Sequence, residues 1–224
     1  MKQLVSLFFA IACLISATAH AALEIRLNGQ AVYDTDLNIT WLADANYYAS
    51  ANSVSGAVVW STAWWEATST ILGVSGWRLP KTLVPDSSCS RFVTEGTSSG
   101  WNCTGSEMGH LFYEELGGVA NSSILSIHND NFNLFHNVQG GNYWSQSEEQ
   151  LNNLIGAWVF GFGSGFQGGG GKNDNLLYAW MVRDGDVVPP PIAAVPEPET
   201  YSMLLAGLGL QGFTSWRRKQ NIVS

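Results

Sequence analysis

The chain has 224 residues, with 18 acidic against ten lysine and arginine side chains and a formal charge of −8. That acidity excludes nucleic acid, anionic lipid and sulfated polysaccharide as simple electrostatic partners. Hydrophobic residues make up 46% and charged ones 12%, which is a globular rather than a disordered composition.

Lys2 gives a positive start, and Leu4 to Ile15 is an almost unbroken apolar run. Small residues then stand at Ala19 and Ala21, the two positions a signal peptidase reads. Residues 1–21 are therefore predicted to be a secretory signal peptide. Its apolar core is too short for a spanning helix of about 20 residues. Ala10-Ile11-Ala12 before Cys13 is a poor lipobox, so a lipoprotein is not expected.

Residues 22–188 are the predicted body, long enough to bury a core of its own. Leu23 to Leu27 alternates apolar and charged residues, and Asn28-Gly29 turns the chain toward Ala31-Val32-Tyr33, a β-hairpin pattern. Ile39 to Leu42 reads as a third strand. Ser61 to Leu72 has helix composition, with Ser61 as N-cap, Gly73 past the end, and Trp64, Trp65, Thr68 and Leu72 in one stripe. Cys89 and Cys103 flank a loop rich in Ser, Gly and Thr. In an exported chain whose signal takes Cys13 away, their default state is a disulfide.

A second helix runs from a cap at Ser106 to Leu116, with Met108, Leu111, Phe112 and Leu116 facing inward and Gly117-Gly118 stopping it. Strands are then expected at Tyr143 to Ser145, Ala157 to Phe162 and Tyr178 to Arg183. Gly161 to Gly171 reads as a hairpin tip or loop. The fold class is α+β, a single domain of short antiparallel strands and two helices between a signal peptide and a C-terminal sorting helix.

Residues 189–195 form a stiff, proline-rich linker. Pro196-Glu197-Pro198 follows, then an apolar stretch from Tyr201 to Trp216, then Arg217-Arg218-Lys219. As a helix that stretch is slightly short of a bilayer core of about 30 Å, so it holds the membrane only transiently, with the basic triplet on the cytoplasmic side. This order resembles the PEP-CTERM sorting signal over residues 196–220. The resemblance makes Pro196, Glu197 and Pro198 the element recognised by an exosortase and Arg217, Arg218 and Lys219 the retention cluster. It implies export, a transient inner-membrane intermediate, and a final place on the cell surface or in the extracellular matrix.

Five short motifs of the body stand in order: Thr40 to Asn46, Gly76 to Thr82, Tyr143 to Glu148, Ala157 to Phe162, and Tyr178 to Gly185. Together they resemble the Lcl C-terminal-domain-like family, and the Trp-Arg-Leu-Pro and Tyr-Trp-Ser elements are also similar to C-type-lectin-like and sulfatase-modifying-factor folds. The resemblance implies a compact C-type-lectin-like domain and a non-catalytic binding role toward extracellular polysaccharide. From Ala22 to Val195 the chain carries 16 acidic and six basic side chains, so sulfated glycans are not carried over from the family. The alternatives are a self-associating structural matrix protein and, through the sulfatase-modifying-factor likeness, an enzyme.

Among candidate ligand-binding residues, Arg78 lies beside Trp77, where a guanidinium can hold a carboxylate or stack on a ring. Asn173, Asp174 and Asn175 adjoin the glycine run Gly168 to Gly171. No cofactor is required, and calcium is the one ion considered, at His128 to Asn131 or at Asn173 to Asn175. Asp34 to Asn38 opens like an EF-hand loop, but Ile39 stands where glycine belongs and Ala45 where the bidentate glutamate should be. Glu114-Glu115 and Glu148-Glu149 read as solvated faces. The chain has no His-Glu-x-x-His, and no helix start follows the glycine-rich stretch to hold phosphate. No catalytic residue and no metal ligand set is assigned.

Intact mass measurement of the exported protein should place its C-terminus between Pro196 and Glu199. A chain still ending in the segment that carries Arg217, Arg218 and Lys219 would make it a membrane-tethered protein instead.

Overall fold

The computed structural model describes residues 23–93, 97–151 and 154–187. In chain order the strands are β1 (Leu23–Arg26), β2 (Ala31–Asp34), β3 (Ile39–Leu42), β4 (Trp77–Arg78) and β5 (Arg91–Val93). They continue with β6 (Thr97–Ser99), β7 (Asn142–Leu151), β8 (Leu154–Gly161), β9 (Phe166–Gly171) and β10 (Val182–Asp184). The helices are α1 (Tyr47–Asn52), α2 (Trp60–Ala67) and α3 (Glu107–His110), the last passing directly into a π-helical turn at Leu111–Glu115.

The expected hairpin is present, with Arg26 opposite Ala31 and a turn through Leu27, Asn28 and Gly29, all at positive φ. β3 joins it, and the last strand then inserts beside β3 to give the order β1-β2-β3-β10-β4, antiparallel throughout. β7, β8 and β9 form an antiparallel meander. The β5–β6 hairpin, with the disulfide between Cys89 and Cys103 next to it, is tied to β9 by a bridge from Gly100 to Gln167. The fold is thus mixed, with antiparallel sheets and few helices. No helix of the described residues is long and apolar enough to cross a membrane.

The core lies on both sides of the five-stranded sheet. Along the final segment, Trp180 and Val182 enter one apolar cluster while Ala179 and Met181 enter the other. A strand buried on both faces reads as a continuous apolar run. The first cluster is closed by Met108, Leu111, Phe112 and Leu116 of α3 and its π turn, the inward set expected from the sequence. Trp180 sits at its centre, with ring centroids of Trp41, Phe135, Tyr143 and Phe162 between 5.2 and 5.7 Å away. Its indole N–H donates to the Leu42 carbonyl at 2.8 Å, so a fully buried polar group is satisfied.

Four expectations need correction. The helix drawn over Ser61 to Leu72 spans Trp60–Ala67, and Val59 rather than Ser61 is its N-cap. It stops early because the Ser69 amide and hydroxyl both bond the Glu66 carbonyl, and Ile71 and Val74 then pair across a tight turn through Leu72 and Gly73. Its buried face is Ala63 and Ala67, not the tryptophans. The stretch Gly161 to Gly171 is largely strand β9, paired with β8 from Gly161 opposite Phe166 to Gly156 opposite Gly171. Gly169 is the close approach in it, since a β-carbon there would fall 1.4 Å from the Glu149 carboxylate. Tyr178 to Met181 is extended chain outside the strand, and α1 adds a third helix.

Gly109 packs its bare face on the loop beside the disulfide, where a β-carbon would fall 1.8 Å from the Cys103 carbonyl oxygen. Helix propensity alone favours alanine over glycine by about 1 kcal/mol. Overpacking against backbone costs about 1–3 kcal/mol. Gly109→Ala should therefore lower the urea midpoint, and a raised midpoint would show that the contact yields.

Candidate functional site

Because α2 turns two small alanines toward the sheet, its tryptophans are left outside. Trp65 is 77% exposed and Trp64 41%. Trp60 anchors the group: its indole N–H donates to the Ser145 carbonyl at 2.8 Å, and its ring lies 5.0 Å from that of Trp64. Trp60, Ser61, Trp64, Trp65 and Thr68 line a shallow cleft of about 300 Å³. A tryptophan covers roughly 150–250 Å² when packed, so adjacent uncovered rings make an unusual soluble surface.

The turn carrying Asn173, Asp174 and Asn175 lies next to this shelf. It follows Lys172, whose carbonyl accepts the Trp60 backbone N–H at 3.2 Å and whose ammonium sits 3.8 Å from the Trp60 ring centroid. Lys172 also pairs with Glu148 at 3.0 Å, which leaves that carboxylate bridged rather than simply solvated. Asn175 is committed to its turn, donating to the Gly171 carbonyl, while Asn173 and Asp174 are exposed.

Arg78 is placed differently. Its guanidinium grips Glu107 in a bidentate pair at 2.7 and 2.8 Å, bonds Asp184, and donates to the Leu79 carbonyl. Those five contacts take up its five N–H donors. It joins β4, β10 and the start of α3, with Trp77 and Leu79 buried on either side.

A second site was not legible in the sequence. Asp34 ends β2 and is fully buried, and its Oδ1 accepts the amides of Asp36 and Leu37. His110 and Glu115 approach it, and one donor atom from each of the three residues lies within 4.8 Å of the others. Residues three or four apart meet on an α-helix, not residues five apart. His110 and Glu115 meet because the Leu111–Glu115 turn is π-helical, closed by the Leu116 amide on the Leu111 carbonyl at 2.9 Å. Such turns are rare and recur at functional sites. Glu115, expected on a solvated face, is only 4% exposed.

The cluster opens to a polar cavity of about 530 Å³ lined by Asp36, Thr104, His110, Glu114, Glu115, Asn129 and Asn131. Asn129 and Asn131 both donate their side-chain amides to the Glu115 carbonyl at 2.9 Å, which fixes the end of the π turn. Burial raises the Asp34 pKa, against the two amides that stabilise its charge. The neighbouring Glu115 raises that of His110.

Sequence reading also passed over Gly96-Thr97-Ser98-Ser99-Gly100, which has the spacing of a hydrolase nucleophile turn. Ser98 is buried in a hairpin strand that runs into the bridge at Gly100 rather than a helix, and its hydroxyl accepts the Asp86 amide. Ala19 and Ala21, and the sorting residues Pro196, Glu197, Pro198, Arg217, Arg218 and Lys219, lie outside the described residues.

Residues 194–219 match the PEP-CTERM protein-sorting motif. The chain is an exported protein sorted to the cell surface and processed by exosortase. No curated protein and no solved structure matches it.

The Arg78 clasp yields a pH signature. The Asp184 carboxyl is held below the ordinary 3.8, chiefly by its bond from Arg78. A depressed carboxyl contributes stability that is complete above its unfolded value and is lost as pH falls through the folded one. Wild type should exceed Asp184→Asn in urea midpoint at neutral pH, by a small margin because Asp184 is well exposed. The two curves should converge below 3.8. A gap persisting in stronger acid would rule the clasp out as its source.

Proposed function

We propose that the processed protein is a non-catalytic binding module of the extracellular matrix, and that its ligand is a neutral polysaccharide. The observation that carries this reading is the pair of uncovered tryptophans, Trp64 and Trp65, on a cleft beside the polar Asn173 to Asn175 turn. Sugar rings present apolar C–H faces that stack on indole, and neighbouring amides and carboxylates fix their hydroxyls. The body's excess of acidic side chains favours an uncharged glycan over a sulfated one. The likeness of the five body motifs to the Lcl family, with its C-type-lectin-like character, supports the same reading, as does a sorting route that delivers the protein to the surface.

A second copy of the chain covering the same tryptophans would instead make the protein a self-associating matrix component. Sedimentation over a concentration series separates the two: the binding module stays monomeric. Binding of the exported protein to neutral glycans and to native matrix is expected to fall about tenfold or more in Trp64→Ala/Trp65→Ala, while the melting temperature changes little. Wild type that binds no glycan, or a variant that binds as well as wild type, would overturn the proposal.

A further inference from the structure

We propose that Asp34, His110 and Glu115 bind a divalent transition-metal ion, with an open coordination position facing the polar cavity. Asp34 supplies the first argument. One of its oxygens is held by backbone amides, but Oδ2 is buried without any hydrogen-bond partner. A buried carboxylate oxygen in that state needs a proton or a cation.

The second argument is the spacing of the other two groups. His110 Nε2 stands 3.4 Å from Glu115 Oε1, within ion-pairing reach but without hydrogen-bond geometry to it or to another group. Two ligands bound at about 2.0–2.1 Å to a tetrahedral ion are themselves about 3.4 Å apart. The separation is too long for a good hydrogen bond and suits a shared metal.

The surroundings complete the site. Two carboxylates and one imidazole match the charge and softness of zinc or a similar first-row ion better than calcium, which takes six or more oxygens. The amides of Asp36 and Leu37 orient the Asp34 carboxylate as outer-shell bonds orient a metal ligand, and the Asn129 and Asn131 side chains fix the backbone of Glu115 through its carbonyl. Exposed Asp36 and Glu114 also line the cavity and give a cation an acidic approach, with Thr104, Asn129 and Asn131 completing its polar wall. This site is independent of the tryptophan shelf, so either can fail without the other.

The full-length chain, stripped with a chelator, should take up about one equivalent of Zn²⁺ or Co²⁺, and Glu115→Gln should weaken binding about tenfold or more. Because that change falls at a buried position, a second variant decides the matter. His20→Ala, His128→Ala and His136→Ala together leave His110 as the remaining imidazole and alter no described side chain that is buried. Stoichiometric Co²⁺ uptake by this triple variant, with paramagnetically shifted imidazole ring protons, supports the site. Failure of wild type to take up metal, or bound Co²⁺ that shifts no imidazole protons, overturns it.

Discussion

The domain depends on one late pairing, the insertion of Val182–Asp184 between β3 and β4. Until that strand arrives, β3 and β4 have no common neighbour, Trp180 cannot fill the first apolar cluster, and Ala179 and Met181 cannot fill the second. The same strand brings Asp184 to Arg78, and just after it Asp186 receives Arg26 of the first strand. The beginning and end of the body are therefore clasped together. Contacts of such long sequence separation form slowly, since loop closure precedes any gain from packing. The sorting motif begins shortly after the described body ends, so nearly the whole domain must emerge before the central sheet can close.

That closed sheet separates two surfaces of opposite character. On one face Ala63 and Ala67 let α2 settle close to the strands, and the consequence is that its tryptophans have nowhere to go but outward. On the other face the large side chains Met108, Leu111 and Phe112 bury α3 and its π turn. The π turn then rotates Glu115 onto the side of His110 and over Asp34. An exposed tryptophan cleft and a buried carboxylate–imidazole cluster thus arise from one sheet, without sharing a residue.

Export gives both features a setting. A protein handed to the cell surface meets polysaccharide and free divalent cations rather than cytosolic cofactors. Its disulfide between Cys89 and Cys103 closes the base of the β5–β6 hairpin, while the Gln167 side chain on the Ser98 carbonyl and the Gly100–Gln167 bridge tie that hairpin to the meander.

What the sequence determined by itself was local or modular. Asn28-Gly29 marked the first hairpin because few residues tolerate positive φ there, Gly117 ended the second helix for the same reason, and Ser106 began it as an extended N-cap. The Pro-Glu-Pro element, apolar stretch and basic triplet were recognisable without any fold. Tertiary structure decided the rest. Spacing placed Trp64 and Trp65 in one stripe with Thr68 and Leu72, but the helix buries Ala63 and Ala67 and leaves those two rings in solvent. Composition placed Gly168 to Gly171 in a loop, but a ladder against β8 was available to it only once that strand was laid down. His110 and Glu115 share no face of a regular α-helix, so the cluster they complete with Asp34 exists only because packing stabilises a π turn that no local preference announces.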